Sequence, residues 1–202
     1  MISIIDYGMG NLWSVSKGLE KVGAEVVITS DKKKILGSSG IVLPGVGAFH
    51  RAMENLYKLK IIPVIKEAIF NGVPFLGICL GHQLLFSSSE EGGNCKGLDI
   101  IKGKVKRFKT GLRIPQMGWN EVRAVKISTL LKGIKNPLYM YFAHSYYAQP
   151  EDKKCVIAET EYGRKFASAV CQKNVYGIQP HPEKSSDKGL RILKNFYLLT
   201  RN

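Results

Sequence analysis

The stretch Val73-Pro74-Phe75-Leu76-Gly77-Ile78-Cys79-Leu80-Gly81-His82-Gln83-Leu84-Leu85-Phe86 decides the fold. Val73 to Cys79 is apolar throughout, the pattern of a strand buried on both faces, and Leu80 to Phe86 switches to helical spacing. Cys79 therefore falls on a strand-to-helix turn, with glycine two positions away on each side. A turn that sharp forces strained φ/ψ on its central residue, and glycine at either flank avoids collision with the neighbouring strand and helix. Gly77-Ile78-Cys79-Leu80-Gly81 thus has the form of a nucleophile elbow, with cysteine where other hydrolases place serine. The N-terminus of the helix behind it favours a thiolate and offers free N–H groups to a developing oxyanion, most directly at Leu80. A buried structural cysteine is the plainer alternative.

Outward from this turn, the first half of the chain alternates apolar runs with helix-period segments, the mark of βαβ units around a parallel sheet. Ile2 to Asp6 reads as the first strand. Leu12, Val15, Leu19 and Val22 recur at helical spacing, so Asn11 to Val22 reads as a helix capped by Asn11 and stopped by Gly23. Glu25 to Thr29 and Ile41 to Leu43 read as the next strands. The latter runs into Pro44-Gly45-Val46-Gly47, and two helical stretches follow, one through Phe49, Met53 and Leu56 and one over Ile61 to Phe70. The second half is β-rich, with strands expected at Ile100 to Phe108, Glu121 to Ile127, Tyr139 to Ala148, Cys155 to Glu161, Phe166 to Gln172 and Val175 to Gln179. A last helix, Asp187 to Leu199, presents Leu190, Leu193, Phe196 and Tyr197 to the core. The expected class is α/β: one three-layer domain over residues 1–202, its mostly parallel sheet flanked by helices and extended by antiparallel additions.

Composition limits the function. With 202 residues, 45% hydrophobic and 23% charged, the chain buries one sizeable core and shows no composition break. The start, Met1 to Asp6, lacks a basic lead and a long apolar run, so no signal peptide is read, and no segment approaches the roughly 20 apolar residues of a membrane helix. Cys79, Cys95, Cys155 and Cys171 are scattered without a C-x-x-C pairing, which argues against a metal site or disulfide framework and for a cytoplasmic setting. The net charge of +14 attracts acidic partners. Its basic residues are dispersed and carry no aromatic-basic platform, so nucleic acid is not the expected partner.

A thiol nucleophile needs a base, and the chain has four histidines: His50, His82, His144 and His181. His82, three residues past Cys79, points away from the elbow, and His50 lies on a surface-type helix. His144 stays open. His181 stands in Gln179-Pro180-His181-Pro182-Glu183 at the end of an apolar strand. Residues i and i+2 of extended chain point to one side, so Glu183 can hold the imidazole as the third member of a triad does. An ordinary proline-rich turn is the alternative. Strand ends of a parallel sheet gather at one rim, where Cys79, His181 and Pro44-Gly45-Val46-Gly47 can meet. The last segment then offers a second oxyanion donor, or is a simple strand-to-helix turn.

These segments resemble the class I (triad) glutamine amidotransferases: Gly77-Ile78-Cys79-Leu80-Gly81-His82-Gln83 matches their nucleophile motif, and His181-Pro182-Glu183 their base and orienting acid. The resemblance spans the chain. Within the family it looks most like the glutaminase subunits of imidazole glycerol phosphate synthase, through Asp6 to Asn11, Pro44 to Phe49, Met117-Gly118-Trp119-Asn120, Tyr141 to Tyr146 and His181 to Ser186. It implies a cofactor-free glutaminase in which Cys79 attacks glutamine, His181 passes protons and Glu183 orients it. Gly45, Val46, Gly47 and Leu80 would serve the oxyanion. Gln83 and Glu91 would bind the amino-acid end of the substrate, with backbone contacts from Ser145 and Tyr146. Asn11, Trp119, Tyr141 and Lys184 would face the partner, a cyclase subunit built as a (β/α)8 barrel and joined in a heterodimer. Gln116 departs from the histidine usual before Met-Gly-Trp-Asn, on a stretch expected near the partner surface. Related subunits feed sugar-modifying synthases that make amidino sugars, so that acceptor is kept open beside histidine biosynthesis. A stand-alone cysteine hydrolase and a non-catalytic interaction subunit complete the alternatives.

Overall fold

The computed structural model describes residues 1–109 and 111–201. The alternating first half folds into β1 (Ile2–Ile5), α1 (Leu12–Lys21), β2 (Val26–Thr29), α2 (Lys32–Leu36), β3 (Gly40–Gly45), α3 (Phe49–Lys58), α4 (Ile62–Phe70), β4 (Phe75–Cys79) and α5 (Leu80–Leu84). Asn11 caps α1 as its sequence predicts, its side chain accepting from the Ser14 N–H. Helix α2 was not legible as a helix, because Lys32-Lys33-Lys34 shows no apolar spacing. Asp31 starts it by capping the Lys34 N–H, and its one buried residue, Ile35, anchors it.

The second half adds β5 (Phe86–Ser89), β6 (Cys95–Lys96), β7 (Ile101–Arg107), β8 (Gln116–Ala124), β9 (Leu138–His144), β10 (Tyr146–Pro150), β11 (Val156–Glu161), β12 (Lys165–Gln172), β13 (Val175–Ile178) and α6 (Ser186–Leu199). Strands run in the order β2-β1-β3-β4-β13-β12-β10-β7-β5-β6, and β11, β8 and β9 branch from β12. The five strands from β2 to β13 are parallel to one another. Antiparallel pairing then carries the sheet through β12, β10 and β7. This is the expected α/β architecture, and its two cores are split by the sheet. One holds Phe49, Leu56, Ile65 and Phe86 under α3 and α4; the other holds Leu19, Phe142, Ile192 and Phe196 under α1 and α6. Each fully buried Phe or Leu stabilises the layer by about 1.5–3 kcal/mol.

Three expected boundaries and one helix face differ from the sequence reading. The helix after Cys79 ends at Leu84 and not at Phe86, because the loop before β7 captures its last carbonyls: the N–H groups of Ile100 and Ile101 donate to Leu85 O, and that of Leu98 to Leu84 O. Phe86 is thereby freed to pair beside Ile101. The run Tyr139 to Ala148 is two strands, since β9 pairs with β8 while β10 pairs with β7 and β12, and Ser145 is the corner between them. The strand expected at Glu121 to Ile127 begins earlier, at Gln116, drawn out by its ladder with β9. The core face of α6 is Gly189, Ile192, Leu193 and Phe196, with Leu190 and Tyr197 half-buried at its margins.

Candidate active site

Cys79 takes φ +55° and ψ −108° at the end of β4. A cysteine in that region carries a strain of order 1–3 kcal/mol, held by the strands on either side. Both flanking glycines are required by close approach: a side chain on Gly81 would run into the Leu43 carbonyl, and one on Gly77 into the carbonyl of Gly81. Gly45 of β3 pairs directly opposite Cys79 in the parallel ladder. The elbow is therefore wedged between the β3 backbone and the first turn of α5.

Strand β13 lies on the other side of β4, with Ile178 level with Ile78. The chain leaving β13 carries His181 beside Cys79, where both line the same cleft. Nδ1 of His181 lies 2.7 Å from Oε1 of Glu183, so Nε2 is the ring atom left for Cys79. Burial opposes charge on this ring, yet the hydrogen bonds and negative charges of Cys79 and Glu183 outweigh it and raise the imidazole to about 10. The backbone at His181 is tied down as well, its N–H donating to Tyr141 O at 2.9 Å.

These groups open on a cleft of about 280 Å³ lined by Val46, Gly47, Cys79, Leu80, Gln83, Glu91, Pro115, Ala143, His144, Ser145, Tyr146, His181 and Lys184. Of the residues expected at the site, the structure gathers Cys79, His181, Val46, Gly47, Leu80, Gln83, Glu91, Ser145 and Tyr146 around one space. Glu183 stands behind His181, and Gly45 lies beneath the cleft in the sheet, packed against the Tyr7 hydroxyl and Leu80. The Glu91 carboxylate accepts from the Phe49 N–H at 3.0 Å, at the first residue of α3. Lys184 extends over the Tyr141 ring at 5.9 Å, and Trp119 is exposed on β8, where it pairs beside Tyr141.

His82 is fully buried, edge-on to Phe86, and desolvation lowers it to about 3, a neutral core residue. His50 is half-buried on α3. His144, left open by the sequence, lines the cleft. Burial lowers it to about 4, against its bond to the Tyr146 carbonyl, so it is neutral. Its Nδ1 lies 2.7 Å from Tyr146 O and must donate there, which leaves Nε2 an acceptor. Oε1 of Gln116 stands 2.9 Å from Nε2, so with Nε2 an acceptor the contact becomes a hydrogen bond when the amide is turned to bring its NH2 to the ring.

Within the stretch expected near the partner, Gln116 itself is buried against His144. Alternation along β8 explains this, because Gln116 points inward while Met117 and Trp119 are exposed. Sequence reasoning also passed over Gln179. It is wholly buried, accepts from Gln83 Nε2 at 2.9 Å and places its own Nε2 3.7 Å from Cys79 Sγ. Its position two residues before His181 was the available signal.

Residues 3–200 match the family model of glutamine amidotransferase class-I. The chain is 50% identical over 201 residues to the imidazole glycerol phosphate synthase subunit HisH of Moorella thermoacetica, covering 100% of this chain and 96% of that protein. HisH of Methanocaldococcus jannaschii is 50% identical over 196 residues, covering 97% of this chain and 98% of its own. Among solved structures, a glutamine amidotransferase superposes with a TM-score of 0.79 at 17% identity, covering 100% of this chain and 99% of that one. PurLQS from Thermotoga maritima superposes at 0.76 with 20% identity, covering 96% of each. Those two likenesses are of fold. The family match across nearly the whole length and the half-identical relatives settle the assignment, and this chain belongs to the class-I glutamine amidotransferases, in the group of the HisH subunits.

Proposed function

We propose that this chain is the glutaminase subunit of an imidazole glycerol phosphate synthase, releasing ammonia from glutamine at Cys79 and passing it to a cyclase partner for histidine biosynthesis. The observation that carries the reading is Cys79 and His181 in one cleft with Glu183 behind the ring, and the imidazolium favoured at neutral pH.

A charged His181 beside the sulfur sets the order of proton transfers. Cys79 attacks the glutamine carboxamide carbon as a thiolate, and the oxyanion that forms meets backbone N–H groups of the Val46-Gly47 segment and of Leu80. His181 then gives its proton to the departing nitrogen as the C–N bond breaks. Ammonia leaves, and a γ-glutamyl thioester remains. The neutral ring next takes a proton from water, whose oxygen attacks the thioester, and glutamate leaves as the thiolate and imidazolium are restored. Glu183 keeps Nδ1 protonated and the ring aimed throughout. Gln83, Glu91 and the Ser145-Tyr146 backbone, which line the same cleft, are proposed to hold the amino-acid end of the substrate.

Asn11, Trp119, Tyr141 and Lys184 are proposed to meet the cyclase, a (β/α)8 barrel, in a heterodimer. Exposed Met117, Trp119 and Tyr139 give that face an aromatic, apolar character suited to a stable partner. The four free thiols support a reducing, cytoplasmic setting. The Gln116 difference that leaves an amidino-sugar acceptor open lies at a buried contact with His144.

The test is glutamine hydrolysis by the purified chain, with and without the cyclase and its ligand. Slow turnover alone, strong stimulation by the liganded partner and complete loss in Cys79→Ala are expected. Full-rate turnover without any partner would sink the coupled reading, and turnover by the Cys79→Ala complex would sink the nucleophile.

A further inference from the structure

A continuous chain of buried polar groups ends on the Cys79 sulfur, and it begins at a group whose polarity is fixed. The Tyr146 backbone carbonyl can only accept. It receives Nδ1–H of His144 at 2.7 Å and Nε2–H of Gln83 at 2.9 Å, which uses both lone pairs. The amide nitrogen of Gln83 is therefore the end that faces Tyr146, and its second hydrogen points to Gln179 at 2.9 Å. Gln179 must then present its oxygen to Gln83 and its NH2 to Cys79 Sγ, 3.7 Å away. Main-chain bonding holds the residue in place, since the Gln179 N–H donates to Ser168 O at 2.8 Å and Pro180 follows. Reversing the amide would set a carbonyl against the sulfur and a nitrogen against a nitrogen, so the wiring allows one orientation.

We propose that Gln179 is a positioning residue whose amide N–H holds the Cys79 sulfur as a thiolate and ties it, through Gln83, to the wall of the cleft that receives substrate. A thiol at this position has another partner, because the Ala143 carbonyl lies 4.0 Å from Sγ and accepts from S–H. A thiolate loses that partner and keeps the Gln179 amide as a donor, with the His181 ring beside it. Hydrogen bonds to a charged group are roughly twice as strong as neutral ones, and the sulfur here is almost wholly shielded from water, so the Gln179 contact favours the reactive form. Gln83 couples the two events. A glutamine substrate engaging Gln83 acts on the group that orients Gln179. This inference rests on Cys79 being the nucleophile.

The test reads the sulfur without glutamine. Full-length chain is alkylated with iodoacetamide across a pH series, and modification is followed by mass spectrometry on the Cys79 peptide, which separates it from Cys95, Cys155 and Cys171. Gln179→Met keeps the length and removes the N–H, while His181 and Tyr7, the titratable side chains beside the sulfur, stay in place. Its alkylation profile is expected to move to higher pH by about one unit. Gln83→Met, which keeps Gln179 but frees its amide to turn, moves the profile the same way by less, and it decides the matter if Gln179→Met does not fold. A purely structural role would lower the melting temperature and leave the profile alone. Profiles superposing on that of the parent chain in the folded variants would overturn the inference. The nucleophile reading has its own readout: a Cys79→Ala complex that still hydrolyses glutamine removes that reading and leaves the alkylation result standing.

Discussion

His181 Nδ1 and Glu183 Oε1 lie 2.7 Å apart, and their side chains are only 4% and 1% exposed. Only Pro182 lies between them, and the chain there is a single 3-10 turn over Pro182–Lys184 and not the extended chain expected from the sequence, so the turn itself brings the carboxylate back to the ring. In that environment the carboxylate fixes the tautomer and favours the imidazolium, as an orienting acid does in other triads.

Replacing Glu183 with Gln retains shape and removes the charge, and the amide can turn its NH2 toward Nδ1. The kcat of the partnered enzyme is expected to fall about 10²-fold to 10⁴-fold with a small change in KM. Glutamate release from the complex measures it. A loss under about 3-fold would show that His181 is oriented by something else.

The raised His181 makes a stability prediction with a definite sign. Its folded value of about 10 stands above the unfolded value near 6.5, so the stabilisation it gives is complete below about pH 6.5 and is lost as pH climbs through about 10. Buried Cys155, raised to about 11, also weakens the fold at alkaline pH, so the parent must be compared with His181→Gln. The melting-temperature gap between the two is expected to narrow across that window. A gap that widens with pH would contradict the assignment.

Gly81→Ala is expected to cost about 1–3 kcal/mol or more in urea unfolding, because the new methyl meets the Leu43 carbonyl and no rotamer relieves backbone against backbone. Gly111, with open space around it, provides the control: Gly111→Ala should stay within about 0.5 kcal/mol. Equal unfolding midpoints for the two variants would remove the steric argument.

Trp119 is 54% exposed on β8 beside Tyr141 of β9. As an aromatic anchor for a partner, its loss in Trp119→Ala should weaken binding of the cyclase by roughly 30-fold or more, read by calorimetry. Melting of the isolated chain should barely change. Unaltered affinity would clear this face of the interface.

The net charge of +14 gives a kinetic expectation. Steering toward an acidic partner face makes the association rate fall as salt rises, since screening shortens to about 8 Å at physiological ionic strength. Stopped-flow association at several salt concentrations measures this, and a flat response would assign the charge to solubility alone.

The sequence by itself determined the parallel half of the sheet and the elbow, because both are written in local terms: an apolar run, a change of period at Leu80, and glycine wherever the backbone comes close. It also placed Glu183 within reach of His181, although the pair meets across a 3-10 turn over Pro182–Lys184 and not along extended chain. The three-dimensional structure decided what depends on registry between distant strands. Whether Gln116 or Met117 is the buried residue turns on the pairing of β8 with β9, a one-residue matter that no composition or spacing records. The break of one apolar run at Ser145, and the end of α5 at Leu84, follow from carbonyls claimed by segments elsewhere in the chain. The wire from Tyr146 through Gln83 and Gln179 to Cys79 joins three strand ends and one helix, and its polarity comes from a single backbone carbonyl that only folding brings into place.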